Sequence, residues 1–543
     1  MKRKEILQSL KESPSPTVLI IGGGINGVGT FRDLTLNGVD ALLIDRADFC
    51  SGASAASSHM AHGGIRYLEN GEFRLVHEAV GERNRMIENA PHIVRPLPTT
   101  IPVFKFWSGL LNAPLKFLGW LDRPSERGAL VIKLGLMLYD AYTRAQGTVP
   151  PHRFEGQAAS HKKFPHLHPD VHYTATYYDG SIRSPERYTI ELILDAEAEG
   201  SHARALNYVS FIHAEGNNVV LRDELNHQTF NLQPELIINA AGPWIDRVNS
   251  DLGVGDRYIG GTKGSHLVLD HPELRAAIGE NEFFFENKDG RIVLIFPFLD
   301  KVMIGTSDIP IENPDEARCT KEEIDYFFGM IGRVFPDIKL AYGQIVFQFS
   351  GVRPLEYSHA KTAGQITRDH SIKEDKLGDI PVYSLVGGKW TSYRAFSEQT
   401  TDKALNYLGK ARVADTKHLP IGGGHNYAAV KDSSECDAKL FARYGSRCHE
   451  ISAYQNGDDS PLEHYPDMTR QEAAFLAEKE KVVHLDDLIL RRSLMAYLGY
   501  LNRPLVDELA GILADVLGWD DEQKQKEVER TLGNLHDQHG VSL

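Results

Sequence analysis

Residues 17–46, TVLIIGGGINGVGTFRDLTLNGVDALLIDR, contain the pattern that decides the fold of this chain. VLII is typical of a strand buried on both faces, and Gly22, Gly24 and Gly27 fill the positions of G-x-G-x-x-G directly before a predicted helix. The first glycine permits a tight turn, the second lets the backbone approach a pyrophosphate, and the third lets the helix pack on the strand. Asp45 ends the second predicted strand, where a carboxylate accepts hydrogen bonds from a ribose hydroxyl and disfavours NADP. The stretch therefore predicts a site for NAD or FAD.

The composition is that of a globular protein of two or three domains. The chain has 543 residues, of which 42% are apolar and 24% charged, and its net charge of −15 argues against nucleic acid as a partner. Neither a run of about 18 apolar residues nor a signal-peptide pattern is present. No CxxC pair occurs, so we expect a reducing, cytoplasmic environment and no disulfide framework for Cys50, Cys319, Cys436 and Cys448.

The pattern of apolar residues changes near residue 412. Between about 200 and 395, short strands dominate, including LIINAAG, SHLVLD, RIVLIFPF and PVYSLVGG. Beyond 412, TRQEAAFLAEKEKVVHLDDLILRRSLMAYLGYL and VDELAGILADVLGW have helical periodicity, and Thr469 and Glu472 have capping-box spacing. We predict one domain over 15–412 and an all-helical domain over 413–543.

Three later segments favour flavin over nicotinamide. FCSGASAASSHMAHGGIRYLENGEFRLV (49–76) has small residues where a chain must pass beneath a planar ring, and hydroxyls that suit phosphate and ribose oxygens. LIINAAGPWID (236–246) is similar to the second flavin-contact strand of flavoproteins. VYSLVGGKWTSYR (382–394) leads into a helix whose N-terminus could stabilise negative charge on a reduced ring. A nicotinamide dehydrogenase needs no cofactor contact near residue 390, so we predict FAD.

At these residues the chain resembles the FAD-dependent glycerol-3-phosphate dehydrogenases. HGGIRYLE, TKGSHLV, GTSD, SGVRPL and GGKWTSYR occur in that family's order over about 400 residues, and VVHLDDLILRRSL is similar to its helical cap. The resemblance implies an α/β fold that is D-amino-acid-oxidase-like: a Rossmann-like FAD-binding domain, an interleaved antiparallel-sheet substrate domain and an all-helical C-terminal domain. Two departures are Trp390, where members usually carry leucine, and the stretch 103–125, which is longer than usual.

The resemblance also assigns FAD-binding positions. Gly22, Gly24, Gly27 and Asp45 are expected at the adenosine diphosphate end. The remaining positions are expected along the pyrophosphate, beside the ring and near its pyrimidine edge: Ser54, Ser57, Ser58, Gly63, Gly242, Gly388 and Thr391. No metal site is expected.

A phosphorylated alcohol needs cationic contacts and a proton acceptor. The resemblance implies that the substrate pocket is lined by Arg66, Tyr67, Thr306, Arg353 and Lys389. Arginine and lysine suit a phosphate dianion; a single arginine is more often half of a salt bridge, but four such residues in matching motifs favour the pocket. The family pattern points to His266 as the base that removes the hydroxyl proton, with Arg353 stabilising the developing alkoxide and His62 as an alternative base.

The sequence allows more than one electron acceptor and more than one partner. The family implies a quinone acceptor. Two enzymatic alternatives are an oxidase that passes its electrons to oxygen and a dehydrogenase that acts on a related polyol phosphate such as erythritol phosphate. An alternative of a different class is a non-catalytic flavin-binding or membrane-scaffold module. Within 103–144, six basic residues outnumber three acidic ones and alternate with Phe and Trp, which fits peripheral contact with the inner face of the cell membrane. A helix pair packed on the FAD domain, or across a homodimer, is the alternative.

Overall fold

The computed structural model describes residues 1–65, 73–105, 129–143, 147–286, 292–357, 369–433, 436–458 and 460–543. The α-helices before residue 412 are Arg3–Glu12, Ile25–Leu36, Phe73–Asn89, Ala129–Thr143, Gln157–Lys163, Pro185–Ala198, Ile245–Leu252, Pro272–Ile278, Lys321–Val334 and Tyr393–Tyr407. Those after it are Tyr427–Asp432, Ala438–Tyr444, Cys448–Gln455, Arg470–Lys479, Leu485–Asp487, Arg503–Leu517 and Asp521–His539. Short 3₁₀ turns cover Gly242–Trp244, Pro314–Glu316, Tyr342–Gln344, Gly422–Gly424 and Gly445–Arg447.

A six-stranded sheet carries the glycine stretch. Its spatial order is Ser371–Leu377, Ile380–Val386, Leu236–Asn239, Val18–Ile21, Ala41–Ile44 and Ala203–Leu206, and all neighbours are parallel except the first pair. The four residues of Val18–Ile21 are all buried, as expected for a central strand of a parallel sheet that is covered on both faces. The helix Ile25–Leu36 follows directly, which confirms the predicted strand–turn–helix unit.

A larger, mainly antiparallel sheet lies beside it. Its main order is Ile309–Pro310, Thr262–Leu269, Lys301–Gly305, Ile292–Phe298, Glu282–Glu286, Val94–Val103, Tyr173–Ile182 and Met60–Ala61, with Ile345–Arg353 paired to Thr262–Leu269 and Arg153–Gly156 paired to Tyr173–Ile182. A separate antiparallel sheet contains Val209–Glu215, Asn218–Asp223 and Thr229–Leu232. Strands of both domains alternate along the chain, so the two large sheets are interleaved, as the resemblance implies.

The C-terminal helices share one apolar core with the large antiparallel sheet. Leu476, Leu488 and Leu509 belong to the same buried cluster as Phe347 and Phe349 of the sheet. The helices therefore cover one face of this sheet and bury its side chains. The boundary at residue 412 stays a prediction.

The region around VVHLDDLILRRSL is less continuously helical than its periodicity predicts. The helix Arg470–Lys479 stops before Lys481, which has a left-handed φ of 60°, and a new helical segment starts at Leu485 and continues as a π-turn over Leu488–Arg492. Thr469 caps the first helix through the Glu472 N–H (3.0 Å), but the Glu472 carboxylate accepts from the Tyr444 hydroxyl (2.6 Å) and does not complete the expected capping box.

The expectation that the cysteines form no disulfide is wrong for one pair. Cys436 and Cys448 are bonded, with Cα atoms 6.1 Å apart. The helix Ala438–Tyr444 and the turn Gly445–Arg447 reverse the chain between them, and a count of sequence spacing does not show such a reversal. Cys50 and Cys319 are free thiols.

The segment 103–144 is described only at 103–105 and 129–143, and the bulk of its basic and aromatic pattern lies outside the described residues. Among the helices described, none combines the length and the apolar content that a bilayer crossing requires.

Candidate active site

A cavity of about 1220 Å³ lies between the two large sheets and reaches the C-terminal helices. It exceeds the range of about 300–1,000 Å³ that is usual for small-molecule pockets, so it has room for more than a small substrate. Its walls come from all three predicted flavin segments, from the strands that carry GTSD and SGVRPL, and from the last helix.

The fingerprint glycines form a wall of bare backbone. Gly22 has a φ of 114°, and a Cβ there would lie 2.5 Å from the Ala240 carbonyl oxygen. A Cβ at Gly27 would collide with the Gly22 carbonyl oxygen, so this glycine lets the helix approach the strand, as predicted. Gly24 is the N-cap of the helix Ile25–Leu36, whose first turn contains no acidic residue. The wall therefore presents a helix N-terminus that suits phosphate.

The Asp45 carboxylate is fixed by the backbone at the edge of the cavity. It accepts hydrogen bonds from the N–H groups of Gly23 (2.7 Å) and Ala47 (2.9 Å). Burial raises the pKa of Asp45 to about 6, although both N–H groups favour the charged form. Each oxygen keeps a second lone pair, which can accept from a ribose hydroxyl.

The serine-rich segment crosses the cavity between the fingerprint and His266. The Ser54 hydroxyl accepts from the Ile25 N–H (3.0 Å), Ser57 accepts from the His59 N–H (3.3 Å), and Ser58 Oγ lies 2.8 Å from His266 Nε2. All three serines line the cavity.

Gly63 occupies a different place from the one expected. It lies outside the cavity wall, and the adjacent Gly64 is the residue that lines it. The Gly63 N–H donates to Asp179 (2.8 Å), and a Cβ there would collide with the Tyr139 hydroxyl. Glycine is therefore required here for packing.

The late segments return to the same wall. Gly388 has a φ of 85°, and a Cβ there would lie 2.7 Å from Asn26 Nδ2 in the fingerprint helix. The Thr391 hydroxyl donates to the His62 carbonyl (3.2 Å), and Trp390 Nε1 donates to the Ser54 carbonyl (2.9 Å). Gly242, with a φ of 58°, also lines the cavity. The departure at Trp390 thus ties two flavin segments together.

These walls fit FAD. Gly22, whose Cβ would strike backbone atoms, the helix N-terminus at Gly24 and the backbone-held carboxylate of Asp45 all line one cavity, as a pyrophosphate and a ribose require, and Gly27 lies behind this wall as a packing position.

His266 is buried at the centre of the antiparallel-sheet wall. Its ring stacks on Phe349, with ring centroids 4.9 Å apart and an interplanar angle of 9°, and its Nδ1 has no hydrogen-bond partner among the described residues. Burial, then the charges of Arg353 and His59, lower the pKa of His266 to about 3. The imidazole is therefore neutral at physiological pH and keeps one nitrogen lone pair.

Arg353 stands beside it on the strand Ile345–Arg353. Its Nη2 donates to Thr306 Oγ1 (2.9 Å) and to the Ser307 carbonyl (3.2 Å), and Nη1 contacts Asp308 Oδ1 at 3.3 Å. Gly264 leaves the space that the guanidinium occupies, because a Cβ there would collide with it. Arg353 and Thr306 both line the cavity, with Arg353 about one-third exposed.

Lys389 lines the cavity on the flavin-segment side. Burial lowers the pKa of its ammonium to about 7. The expected partners Arg66 and Tyr67 lie outside the described residues. The structure thus brings His266, Thr306, Arg353 and Lys389 to one cavity with the predicted FAD positions.

The charged side chains that line the cavity are of both signs. Arg353 is paired with Asp308, and Arg46 and Arg247 share Asp315 at 2.7 and 2.8 Å. Arg353 thus forms a salt bridge, as the alternative interpretation expects. An anion is attracted only in the part of the cavity near Arg353 and Lys389.

Sequence reasoning missed several residues of the wall. Ser58 was expected at the flavin, but its contact with His266 was not, and Phe349 and Asp308 were not singled out. Asp308 is the last residue of the GTSD motif and could have been found there. The C-terminal residues that also line the cavity are Arg491, Arg530, Asn534, Gln538 and His539. Of these, Arg491 belongs to the quoted motif VVHLDDLILRRSL, which gives no indication that it reaches the cavity.

Comparison with known families agrees with this geometry. Residues 17–378 match the family model "FAD dependent oxidoreductase", and residues 414–524 match "C-terminal domain of alpha-glycerophosphate oxidase". The protein is therefore an FAD-dependent oxidoreductase, which confirms the predicted cofactor.

Full-length relatives define the family more closely. A glycerol-3-phosphate dehydrogenase of Synechocystis sp. is 34% identical over 555 residues, covering 94% of this chain and 95% of that protein. The aerobic glycerol-3-phosphate dehydrogenase of Bacillus subtilis is 28% identical, covering 96% and 94%. The chain belongs to the glycerol-3-phosphate dehydrogenase family.

The fold is shared with solved structures. The glycerol-3-phosphate dehydrogenase from Bacillus halodurans complexed with FAD aligns with a TM-score of 0.75 at 23% identity, covering 98% of this chain and 97% of that one. L-alpha-glycerophosphate oxidase from Mycoplasma pneumoniae aligns with a TM-score of 0.52 at 16% identity, covering 74% of this chain. The predicted fold class is confirmed.

Proposed function

We propose that this enzyme oxidises sn-glycerol 3-phosphate to dihydroxyacetone phosphate and passes the electrons to a quinone. The observation that carries the proposal is the meeting of Arg353, Lys389, Thr306 and His266 on the wall of the cavity that the FAD fingerprint lines. The relatives from Synechocystis sp. and Bacillus subtilis, which match nearly the whole chain, are both glycerol-3-phosphate dehydrogenases by name.

The cations bind and orient the phosphate. Arg353 offers a planar fork of donors, held by Thr306 and Asp308, and Lys389 offers a point charge from the segment 382–394. Arg66 and Tyr67 complete the set that we propose for this pocket. Binding at two points holds the carbinol carbon in one orientation, and orientation of this kind lowers the barrier of the reaction.

His266 accepts the hydroxyl proton. FAD, when bound, supplies a two-electron acceptor for the hydride that leaves the same carbon. The alcohol thus loses one proton and one hydride and becomes a ketone. The pKa of His266 is lowered by burial and by Arg353, and a phosphate dianion beside Arg353 offsets that positive charge and makes the ring a better base. Ser58 holds the ring through Nε2.

We propose that the following residues form the FAD site: Gly22, Gly24, Gly27, Asp45, Ser54, Ser57, Ser58, Gly242, Gly388 and Thr391. Gly63 packs against the Tyr139 hydroxyl and donates its N–H to Asp179, and in this way it supports the segment that carries the serines.

Anaerobic titration of the purified enzyme tests the function. Glycerol 3-phosphate should bleach the flavin absorbance stoichiometrically, and erythritol phosphate should do so with a lower specificity constant. Absence of bleaching by any polyol phosphate would support a non-catalytic flavin protein instead.

Oxygen is the second candidate acceptor, because the C-terminal match is to a domain of alpha-glycerophosphate oxidase. Mixing the reduced enzyme with a water-soluble quinone or with oxygen separates the two. We expect fast reoxidation by quinone, whereas stoichiometric peroxide at a comparable rate would establish an oxidase.

We further propose that 103–144 contacts the inner face of the cell membrane. The helix Ala129–Thr143 leaves an apolar face open to solvent: Leu130, Leu134, Met137 and Leu138 are 42–60% exposed. Such a face favours an interface with lipid or with a second subunit. Leu134→Glu should abolish sedimentation with anionic vesicles, and an altered oligomeric state without any loss of vesicle binding would indicate a homodimer contact.

A further inference from the structure

The motif LDDLILRRSL has no part in the proposed chemistry, yet it reaches the FAD-binding domain. Asp48 lies three residues after Asp45, in the turn that follows the strand Ala41–Ile44, and its side chain is fully buried. Arg492, which is 444 residues away, donates to both of its oxygens, with distances of 2.8 and 3.0 Å. Arg491 Nε and Asn207 Nδ2 add contacts of 2.6 and 2.9 Å. We call Asp48, Asn207, Arg491 and Arg492 the Asp48 clamp.

The C-terminal side of the Asp48 clamp is itself rigidly held. Arg491 Nη2 contacts Asp487 Oδ1 (2.5 Å), which also accepts from the Tyr208 hydroxyl (2.6 Å). The other oxygen of Asp487 accepts from the N–H groups of Val483 and His484, both at 2.9 Å. The arginines are therefore presented by a segment whose own hydrogen bonds fix its position.

The turn that the Asp48 clamp holds is part of the cofactor wall. Residues 45–48 all line the cavity, and Arg491 lines it with them. Within the turn, the Ala47 N–H donates to Asp45 (2.9 Å), and the Cys50 N–H donates to the carbonyl of Gly23 in the fingerprint (3.0 Å). A shift of Asp48 would therefore displace the Asp45 carboxylate and the fingerprint backbone.

The charges of the Asp48 clamp depend on one another. Burial alone would raise the pKa of Asp48, but Arg492 and Arg491 lower it to about 2, so the carboxylate is ionised. Removing the carboxylate charge leaves two buried guanidinium groups without their main counter-ion on the FAD-domain side, which is strongly unfavourable.

We propose that Arg491 and Arg492 are positioning residues for the cofactor: through Asp48, the C-terminal domain fixes the turn 45–48 and thereby the retention of FAD. This inference depends on FAD being the cofactor and not on the identity of the substrate. It assigns a role to the C-terminal domain that the proposed chemistry does not use.

A second buried ion pair offers a control whose hydrogen bonds to the Asp48 clamp run through main-chain carbonyls, which side-chain substitutions leave in place. The Glu480 carbonyl accepts from Arg492 Nε (2.8 Å), and the Arg492 carbonyl accepts from Arg187 Nη2 (3.4 Å). Arg187 Nη1 and Glu480 Oε1 are 2.5 Å apart and join the same two regions of the chain. Neither residue lines the cavity. A purely structural role for the Asp48 clamp predicts that variants of the two ion pairs behave alike.

The experiment compares Asp48→Asn with Glu480→Gln in the purified holoenzyme. We expect both to lower the Tm, but only Asp48→Asn to release FAD about tenfold faster on dilution, as followed by flavin fluorescence. Excess FAD should restore the kcat of Asp48→Asn, with an unchanged KM for glycerol 3-phosphate. Equal rates of FAD release at equal loss of Tm would overturn the inference.

If Asp48→Asn does not fold, Arg492→Lys and Arg187→Lys replace the pair, since both keep the charge and lose the fork of donors. Faster FAD release from Arg492→Lys alone supports the inference, and equal release from both variants contradicts it. FAD release needs no substrate, so failure of this test is distinct from failure of the proposed reaction.

Discussion

The two ends of the cavity are constructed differently. At the nucleotide end, Gly22, Gly24 and Asp45 come from one continuous stretch, and bare backbone together with one backbone-held carboxylate makes the surface. At the other end, His266, Thr306, Arg353 and Lys389 come from segments far apart in sequence, and side chains make the surface. The first end is specified by local geometry and the second by strand pairing. Damage at the first end should therefore affect FAD retention, and damage at the second should affect turnover with FAD still bound.

The largest effect is expected for His266→Ala. Loss of the proton acceptor should lower kcat/KM by about 10²–10⁴-fold, the usual contribution of a general base. FAD content, measured by absorbance, should stay near that of the parent enzyme. His62→Ala is the control for the alternative base, and a larger loss of kcat/KM there than in His266→Ala would reverse the assignment.

Arg353→Ala should follow, with a loss of about 10²-fold or more in kcat/KM because a phosphate or a developing alkoxide loses its fork of donors. Arg353→Lys should recover only part of it, since an ammonium cannot replace a bidentate contact. Steady-state kinetics with saturating FAD measures both variants. Near-normal efficiency in Arg353→Ala would show that the residue has a structural role and does not bind the substrate.

Gly27→Ala tests the nucleotide end. A Cβ there collides with the Gly22 carbonyl, and overpacking of this kind costs about 1–3 kcal/mol, so we expect a lower Tm and loss of FAD. Gly332→Ala is the matched control: it lies in the helix Lys321–Val334 with no atom near its Cβ, and it should gain about 0.5–1 kcal/mol. If Gly27→Ala kept FAD and lost turnover, the two ends would not be separable.

The smallest effect is expected from pH acting on Lys389. Because burial lowers its pKa to about 7, the ammonium is present below pH 7 and is lost above it. If it binds the phosphate, kcat/KM should fall above pH 7, approaching tenfold per pH unit. In Lys389→Arg the charge persists, so the decline should disappear. A rise in kcat/KM above pH 7 that is lost in Lys389→Arg would instead make Lys389 a base.

Sequence-based predictions agree with the structure where the contacts are local and differ from it where the contacts are distant along the chain. The strand–turn–helix unit was predictable from a continuous apolar run followed by the glycine spacing, and Gly27 because a Cβ there meets the Gly22 carbonyl oxygen five residues earlier. Gly63 was predicted at the cofactor but packs on Tyr139, 76 positions further along the chain, and the Cys436–Cys448 bond depends on a helix that turns the chain back. Contacts of this kind have no local pattern.

The sequence by itself determined the strand–turn–helix unit of a dinucleotide-binding fold, because a continuous apolar run and the glycine spacing that follows it are local patterns. The family motifs added the residues of the second end, but not their partners. Only the tertiary structure decided that Ser58 contacts His266 and that Arg353 pairs with Asp308. It also decided that Arg491 and Arg492 bind the Asp48 carboxylate. The physical reason is that ion pairs and buried polar contacts depend on distance in space, and separation along the chain does not specify that distance.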